Sequence, residues 1–237
     1  MRAAQAITAN PFGLDGFAWR ETRYGEAGGM AAAGMEAAVI ETAGAERIGA
    51  EAALADGEGP LVLRLPADLA GAVPRRRAEF LAGRLCAMLA LRAIGAPPEV
   101  GRAGRAPVWP AGATGSIAHA GGRAIAVAAR RPARLGVDCE TLLTPRTAAE
   151  IRPLILAAVE WRLRPEAMEE ARFLTLAFSA KEALYKALSD SLDEIPDFHA
   201  ARVTGVGPGR IRLAGFGREA EIAYAMDVEG CATLCRL

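Results

Sequence analysis

Between residues 75 and 95 the apolar positions Phe80, Leu81, Leu85, Met88, Leu89 and Ile94 recur at helical spacing. That period predicts a helix; Gly95 suits its C-terminal stop and Pro97 follows it. Two further apolar stretches, 147–164 and 166–189, read as helices separated at Pro165. Residues 60–65, 124–129 and 134–139 are short apolar runs of strand type, with Arg130-Arg131-Pro132 as a turn between the last two. From residue 199 onward the pattern is again strand-like: 201–206, 210–213, 220–226 and 231–237, with Gly-rich turns between them. Residues 97–115 hold four Pro and four Gly and read as loop. Residues 30–56, rich in Ala and Glu, read as helical, and 1–30 as irregular or short strands. The order is α+β, with a boundary between two halves near Arg130–Arg134.

The 237 residues carry 28 basic and 28 acidic side chains, for a formal charge of zero. That balance argues against a generic nucleic-acid or anionic-membrane binder. No run of 18 apolar residues exists, which excludes a spanning helix. The first 19 residues do not have the pattern of a signal peptide, so the expected location is cytoplasmic. Cys86, Cys139, Cys231 and Cys235 are expected to be reduced thiols. In strand-like sequence Cys231 and Cys235 stand roughly 13 Å apart, which disfavours a shared bridge or zinc.

The cations are uneven: 26 are Arg and only two, Lys181 and Lys186, are Lys. Against a coding bias that favours Arg, two lysines five residues apart mark a place where a planar fork does not fit. Near them in kind stand the carboxylates. Asp138 and Glu140, two apart on a strand, share one face. Paired carboxylates repel unless one is protonated or a cation sits between them. Glu182 and Lys186 are four apart on one helical face. Taken singly, Asp-x-Glu is a solvated strand edge and Glu-x-x-x-Lys a surface ion pair. Together, Asp138, Glu140 and Glu182 offer oxygen ligands of the kind that suit Mg²⁺. His119 closes Gly115-Ser116-Ile117-Ala118-His119, at a loop-to-strand junction suited to gripping an anion.

These residues carry a resemblance. Gly136-Val137-Asp138-Cys139-Glu140 is followed by Phe178-Ser179-Ala180-Lys181-Glu182-Ala183-Leu184-Tyr185-Lys186, the two-part signature of the 4′-phosphopantetheinyl transferase superfamily. More narrowly the chain resembles the enterobactin-synthetase type, through the Arg76–Arg84 helix, the Gly104–Gly112 loop and residues 115–119, where Ala118 departs from the usual Ser. The resemblance runs from about Arg75 to Phe198.

The resemblance implies two similar α+β halves about a pseudo-twofold, here 1–132 and 133–237, in a chain that acts as a monomer. It implies an enzyme that transfers the 4′-phosphopantetheine arm of coenzyme A to a serine of an apo acyl or peptidyl carrier protein. Adenosine 3′,5′-bisphosphate is the by-product, and siderophore, non-ribosomal peptide or polyketide synthesis the setting. By resemblance, Asp138, Glu140 and Glu182 hold Mg²⁺, or Mn²⁺, at the pyrophosphate. Glu182 is the candidate base, Lys186 serves the leaving phosphate, and Lys181 contacts phosphate oxygens beside it. His119 matches the 3′-phosphate ligand, and Arg84 and Arg105 match basic positions at the nucleotide end. Arg76 and Arg77 are weaker matches. Trp109 reads as packing under its loop, and Cys139 as a small core residue on the opposite strand face. The missing hydroxyl at 118 puts coenzyme affinity in question. A competing reading is a degenerate transferase that binds coenzyme A or a carrier protein without chemistry; a third is another Mg²⁺-dependent phosphoryl enzyme.

Overall fold

The computed structural model describes residues 11–12, 17–24, 36–42, 48–53, 62–192, 194 and 196–237. Its chain divides into two compact units, the first built chiefly from 17–113 and 117–129, the second from 130–237.

In the first unit, β1 (Ala18–Arg23) is followed by β2 (Glu36–Thr42), β3 (Ile48–Ala53) and β4 (Val62–Leu65). Helix α1 (Pro74–Ala93) comes next, then β5 (Gly101–Ala103), β6 (Ala106–Val108), β7 (Ala113–Ala120) and β8 (Arg123–Arg130). The strands form three sheets, ordered β1-β8-β7, β3-β2-β4 and β5-β6. Pro74 opens α1 at a position that lacks an intrahelical N–H partner anyway. Gly95, at φ +63°, lets the chain leave it. One flank of α1 packs Leu81, Leu85 and Met88 on Leu63 and Leu65 of β4. Its other flank packs Ala78, Ala82 and Cys86 on Ala124 and Ala126 of β8. Small side chains there bring the layers close: a Cβ on Gly83 would lie 2.8 Å from Ile117 Cγ2 of β7.

The second unit begins with β9 (Leu135–Thr141), then α2 (Pro145–Ile155), α3 (Ala158–Trp161) and α4 (Glu170–Leu188). It ends with β10 (Ala201–Gly207), β11 (Arg210–Gly215), β12 (Arg218–Met226) and β13 (Gly230–Arg236). These strands form one antiparallel sheet, ordered β10-β11-β12-β13-β9. The first strand of the unit thus closes the edge beside the last. Helix α4 lies across this sheet and buries Phe173, Leu176, Ala177, Ala180, Ala183, Leu184 and Ala187 against it. The closest approach is over Gly136, where a Cβ would lie 1.8 Å from Ala183 O and 2.5 Å from Ala187 N. No helix among the described residues is long and apolar enough to cross a membrane.

The α+β order read from the pattern holds, with three corrections. Within 30–56 the described residues form strands β2 and β3, not helix. Ala and Glu favour helix by intrinsic propensity, but propensity is a weak prior, and here the pairing of β2 with both β3 and β4 overrides it. The 97–115 loop contains the β5–β6 ribbon. Pro107 is tolerated because a two-stranded ribbon leaves its nitrogen side unpaired. The stretch 147–164 breaks into α2 and α3 at Leu156, which takes extended angles of −129° and 132°, and α4 starts at 170 rather than 166. Of residues 1–30, only 11, 12 and 17–24 lie among those described.

Candidate active site

Strand alternation sorts the β9 motif into two faces. Asp138 pairs across the sheet with Thr233. The Thr233 hydroxyl donates to Ser179 O of α4 and lies 2.9 Å from Ser179 Oγ. Asp138 and Glu140 therefore look toward α4, and Val137 and Cys139 look away, as expected for Cys139. Gly136, without a side chain, lets α4 settle low enough for its Glu182 and Lys186 to reach the carboxylates.

Lys186 Nζ donates to Asp138 Oδ1 at 2.6 Å. Asp138 is 4% exposed, and its Oδ2 is buried with no hydrogen-bond partner among the described residues. Burial by itself lowers the Lys186 pKa, but Asp138 and Glu182 more than offset it and hold the ammonium charged. Burial, then Asp138, raises the Glu140 carboxyl to about 7 against the pull of Lys186, with Glu182 adding to the rise. The Glu182 carboxyl is raised as well, by burial and Asp138, against the pull of Lys186. Three carboxylates and one lysine thus form a single charge network with more negative groups than positive. An orphaned carboxylate oxygen and mutually raised acids are what a hard dication would relieve. The donor set fits Mg²⁺, although among the described residues no three His, Cys, Asp or Glu side chains converge into a closed cation site.

Lys181 stands elsewhere. The expectation was a phosphate contact, but its side chain is 0% exposed. Its ammonium donates to Ile155 O at 2.6 Å and Phe198 O at 2.9 Å and pairs with Glu160 Oε1 at 2.9 Å. Glu160, itself 1% exposed, also accepts from the backbone N–H groups of Ala157 and Val203, each at 2.8 Å. Burial lowers the Lys181 pKa and Glu160 opposes the shift. All three ammonium hydrogens have partners within the core, so Lys181 ties α2, α3 and α4 together and has no donor left for a phosphate. The signal was present in the sequence. The residues three and four away, Ala177, Phe178, Leu184 and Tyr185, are all apolar, so Lys181 lies on the stripe of α4 that faces inward.

In the first unit, Arg84 of α1 is buried and its guanidinium lies 5.1 Å from the Phe80 ring centre. Burial, helped by Arg102, lowers its pKa to about 10. It lines a cavity of about 590 Å³ with Leu63, Arg64, Phe80, Met88 and Arg102. Arg102, which the motif reading passed over, also faces Phe80 and is held by Asp68 at 2.8 Å. Arg105 is exposed at the β5–β6 turn, and neither it nor His119 lines this cavity. His119 lies within β7, with its Nε2 3.3 Å from Arg76 Nη1. Ala118 is 4% exposed and shares its buried face with Ser116. A hydroxyl at 118 would therefore point away from the imidazole side of the strand. Trp109 packs against the alanine-rich core of this unit.

Most of the expected site residues thus gather in three places, the β9–α4 carboxylates with Lys186, the His119–Arg76 pair, and the Arg84 cavity, while Lys181 lies in the core and Arg105 at the exposed β5–β6 turn. A sequence model of the 4′-phosphopantetheinyl transferase N-terminal domain matches residues 65–129. A second, for the 4′-phosphopantetheinyl transferase superfamily, matches residues 134–234. The chain belongs to this superfamily. Enterobactin synthase component D of Salmonella typhi is 42% identical over 142 residues, which are 59% of each chain. The 4′-phosphopantetheinyl transferase Npt of Nocardia iowensis is 39% identical over 124 residues, 50% of this chain and 54% of the relative. The transferase Svp of Streptomyces mobaraensis is 37% identical over 142 residues, 55% and 56% of the two chains. The chain thus spans somewhat more than half the length of the curated relatives it matches. Both superfamily motifs fall inside the second match, with Gly136 under α4 and the two acidic residues facing Lys186.

Proposed function

We propose that this protein transfers the 4′-phosphopantetheine arm of coenzyme A to a serine of an apo carrier protein. The carrier is one of siderophore or other non-ribosomal peptide synthesis, as the enterobactin synthase relatives suggest, with polyketide carriers as the next class. The observation that carries this reading is the β9–α4 charge network: Asp138 with a buried, unpartnered oxygen, flanked by Glu140, Glu182 and a charged Lys186.

Asp138, Glu140 and Glu182 would hold Mg²⁺. Bound there, the ion would supply positive charge to offset that of the pyrophosphate oxygens. The remaining work falls to side chains of this protein. Glu182 is the group to accept the serine proton, directly or through water. Lys186, held charged by Asp138 and one turn from Glu182, stabilises charge on the departing bisphosphate. His119 and Arg76 receive the 3′-phosphate, and Arg84 and Arg105 serve the nucleotide end. Lys181 acts only through the scaffold: it anchors the turn of α4 that carries Glu182.

The test is the intact mass of an apo peptidyl-carrier domain after incubation with coenzyme A, Mg²⁺ and the protein. A gain of one phosphopantetheine arm, lost with EDTA and with Glu182→Gln, establishes both reaction and site. No gain with any class of carrier, while coenzyme A still binds, would replace this reading with the binding-only one.

A further inference from the structure

Within the basic cluster around His119 sits a carboxylate for which anion binding provides no obvious use. Glu79 of α1 has a side chain only 14% exposed. Its Oε1 accepts from Arg75 Nε at 3.1 Å. Its Oε2 lies 3.5 Å from Arg76 Nη1 and 3.9 Å from His119 Nδ1. The same Arg76 Nη1 is 3.3 Å from His119 Nε2. Arg76 and Glu79, three apart on α1, therefore meet opposite nitrogens of one imidazole and close a circuit.

We propose that Glu79 is a positioning residue for the 3′-phosphate site: it fixes the His119 ring and favours its imidazolium form. The proposal rests on the reading of His119 as the 3′-phosphate ligand. A guanidinium has only donors, so the Nε2 that faces Arg76 is an acceptor and the single proton of the neutral ring lies on Nδ1, toward Glu79. At 3.9 Å the carboxylate is beyond hydrogen-bond length but well within the range at which it stabilises a second proton on the ring. With a neutral imidazole, Arg75, Arg76 and Glu79 sum to one positive charge. With an imidazolium they sum to two, which balances a phosphate monoester dianion. Binding the dianion then draws a proton from solvent onto Nε2, which turns from acceptor of Arg76 into donor to the phosphate and leaves Arg76 free to donate as well.

Among the described residues, the sheet neighbours of His119 bring no acid into contact with its ring. Strand β7 has no other ionisable side chain. On its sheet neighbours, Arg123 of β8 is engaged by Glu21 of β1 at 2.8 Å, and Arg20 donates to Trp19 O. The acid that faces the imidazole from α1 is Glu79.

The chain has two histidines, His119 and His199, so proton NMR of the whole protein shows two imidazole titrations, assigned with a His199→Gln variant. Glu79→Gln keeps the side-chain shape and an acceptor for Arg75. It should lower the His119 midpoint by about one pH unit and leave that of His199 in place. Arg75→Gln removes an exposed cation from behind Glu79 and should move the His119 midpoint the other way, by less. This second variant decides the matter if Glu79→Gln does not fold. In kinetics, KM for coenzyme A should rise with pH through the His119 midpoint, and KM for dephospho-coenzyme A should not. Glu79→Gln should shift that rise to lower pH, with the change in KM rather than kcat. A His119 midpoint unmoved in both variants overturns the proposal and leaves the 3′-phosphate reading standing. A moved midpoint with identical KM profiles for the two coenzymes shows that His119 does not read the 3′-phosphate, and removes the proposal with the reading beneath it.

Discussion

Replacing Lys181 with Met separates a core role from a phosphate contact. The two side chains are similar in length, so packing inside α4 is nearly conserved. What is lost is the ammonium and its three partners, Ile155 O, Phe198 O and Glu160 Oε1. Glu160 keeps the N–H groups of Ala157 and Val203 but remains a charge at 1% exposure with no counterion. Removing one partner of a buried ion pair costs about 3–5 kcal/mol. For a chain of this size each kcal/mol lowers Tm by about 2–4 °C, so a fall of roughly 6–20 °C is expected. Glu160→Gln in the same chain removes the stranded charge and should recover a substantial part of that loss. Far-UV circular dichroism during heating reads the stability. Carrier-domain mass, measured well below the transition of the double variant, reads turnover. The double variant should retain turnover there, because Lys181 has no donor left for a substrate. If instead the single variant melts within 1 °C of the wild type, a bound drawn from that slope, and loses turnover, then Lys181 works at the phosphates and its place in the core is wrong.

Three further outcomes are expected. Gly136→Ala should disable the protein, since its Cβ would lie 1.8 Å from Ala183 O and α4 must lift off β9; a variant with wild-type Tm and turnover would refute this packing. Burial, Asp138 and Glu182 raise Glu140 from 4.5 to about 7, so the folded protein holds a proton in that window that the unfolded chain releases. The stability this group provides is present below about pH 4.5 and is lost as pH rises through about 7. In EDTA, Glu140→Gln should therefore show a shallower fall of Tm across that window than the wild type, and parallel curves would contradict the assignment. His119→Ala should narrow the ratio of kcat/KM for coenzyme A over dephospho-coenzyme A; an unchanged ratio would show that the 3′-phosphate is bound elsewhere.

Local pattern sufficed for much of the scaffold. The spacing of Leu81, Leu85 and Met88 already placed α1, and the Gly and Pro that bound it set its ends. Alternation in Gly-Val-Asp-Cys-Glu put Asp138 and Glu140 on one face, and a period of four put Glu182 beside Lys186. These are intrinsic geometries of strand and helix, which need no knowledge of neighbours. Strands β2 and β3 were not legible, because Ala- and Glu-rich sequence favours helix locally and only the partners across the sheet override that preference. The same holds for charge. A motif makes Lys181 and Lys186 look alike, yet they lie on different faces of α4. Lys186 reaches Asp138 at the site, while Lys181 meets a carboxylate 21 residues earlier, in the core. Glu79 and Arg102 acquire roles only where α1 meets β7 and where the β5–β6 ribbon faces Phe80. Sequence by itself determined which chemical groups this protein carries and their period along each element. Tertiary structure alone decided which of those charges face solvent and which must find a buried partner, because desolvation depends on what packs around a group rather than on what adjoins it in the chain.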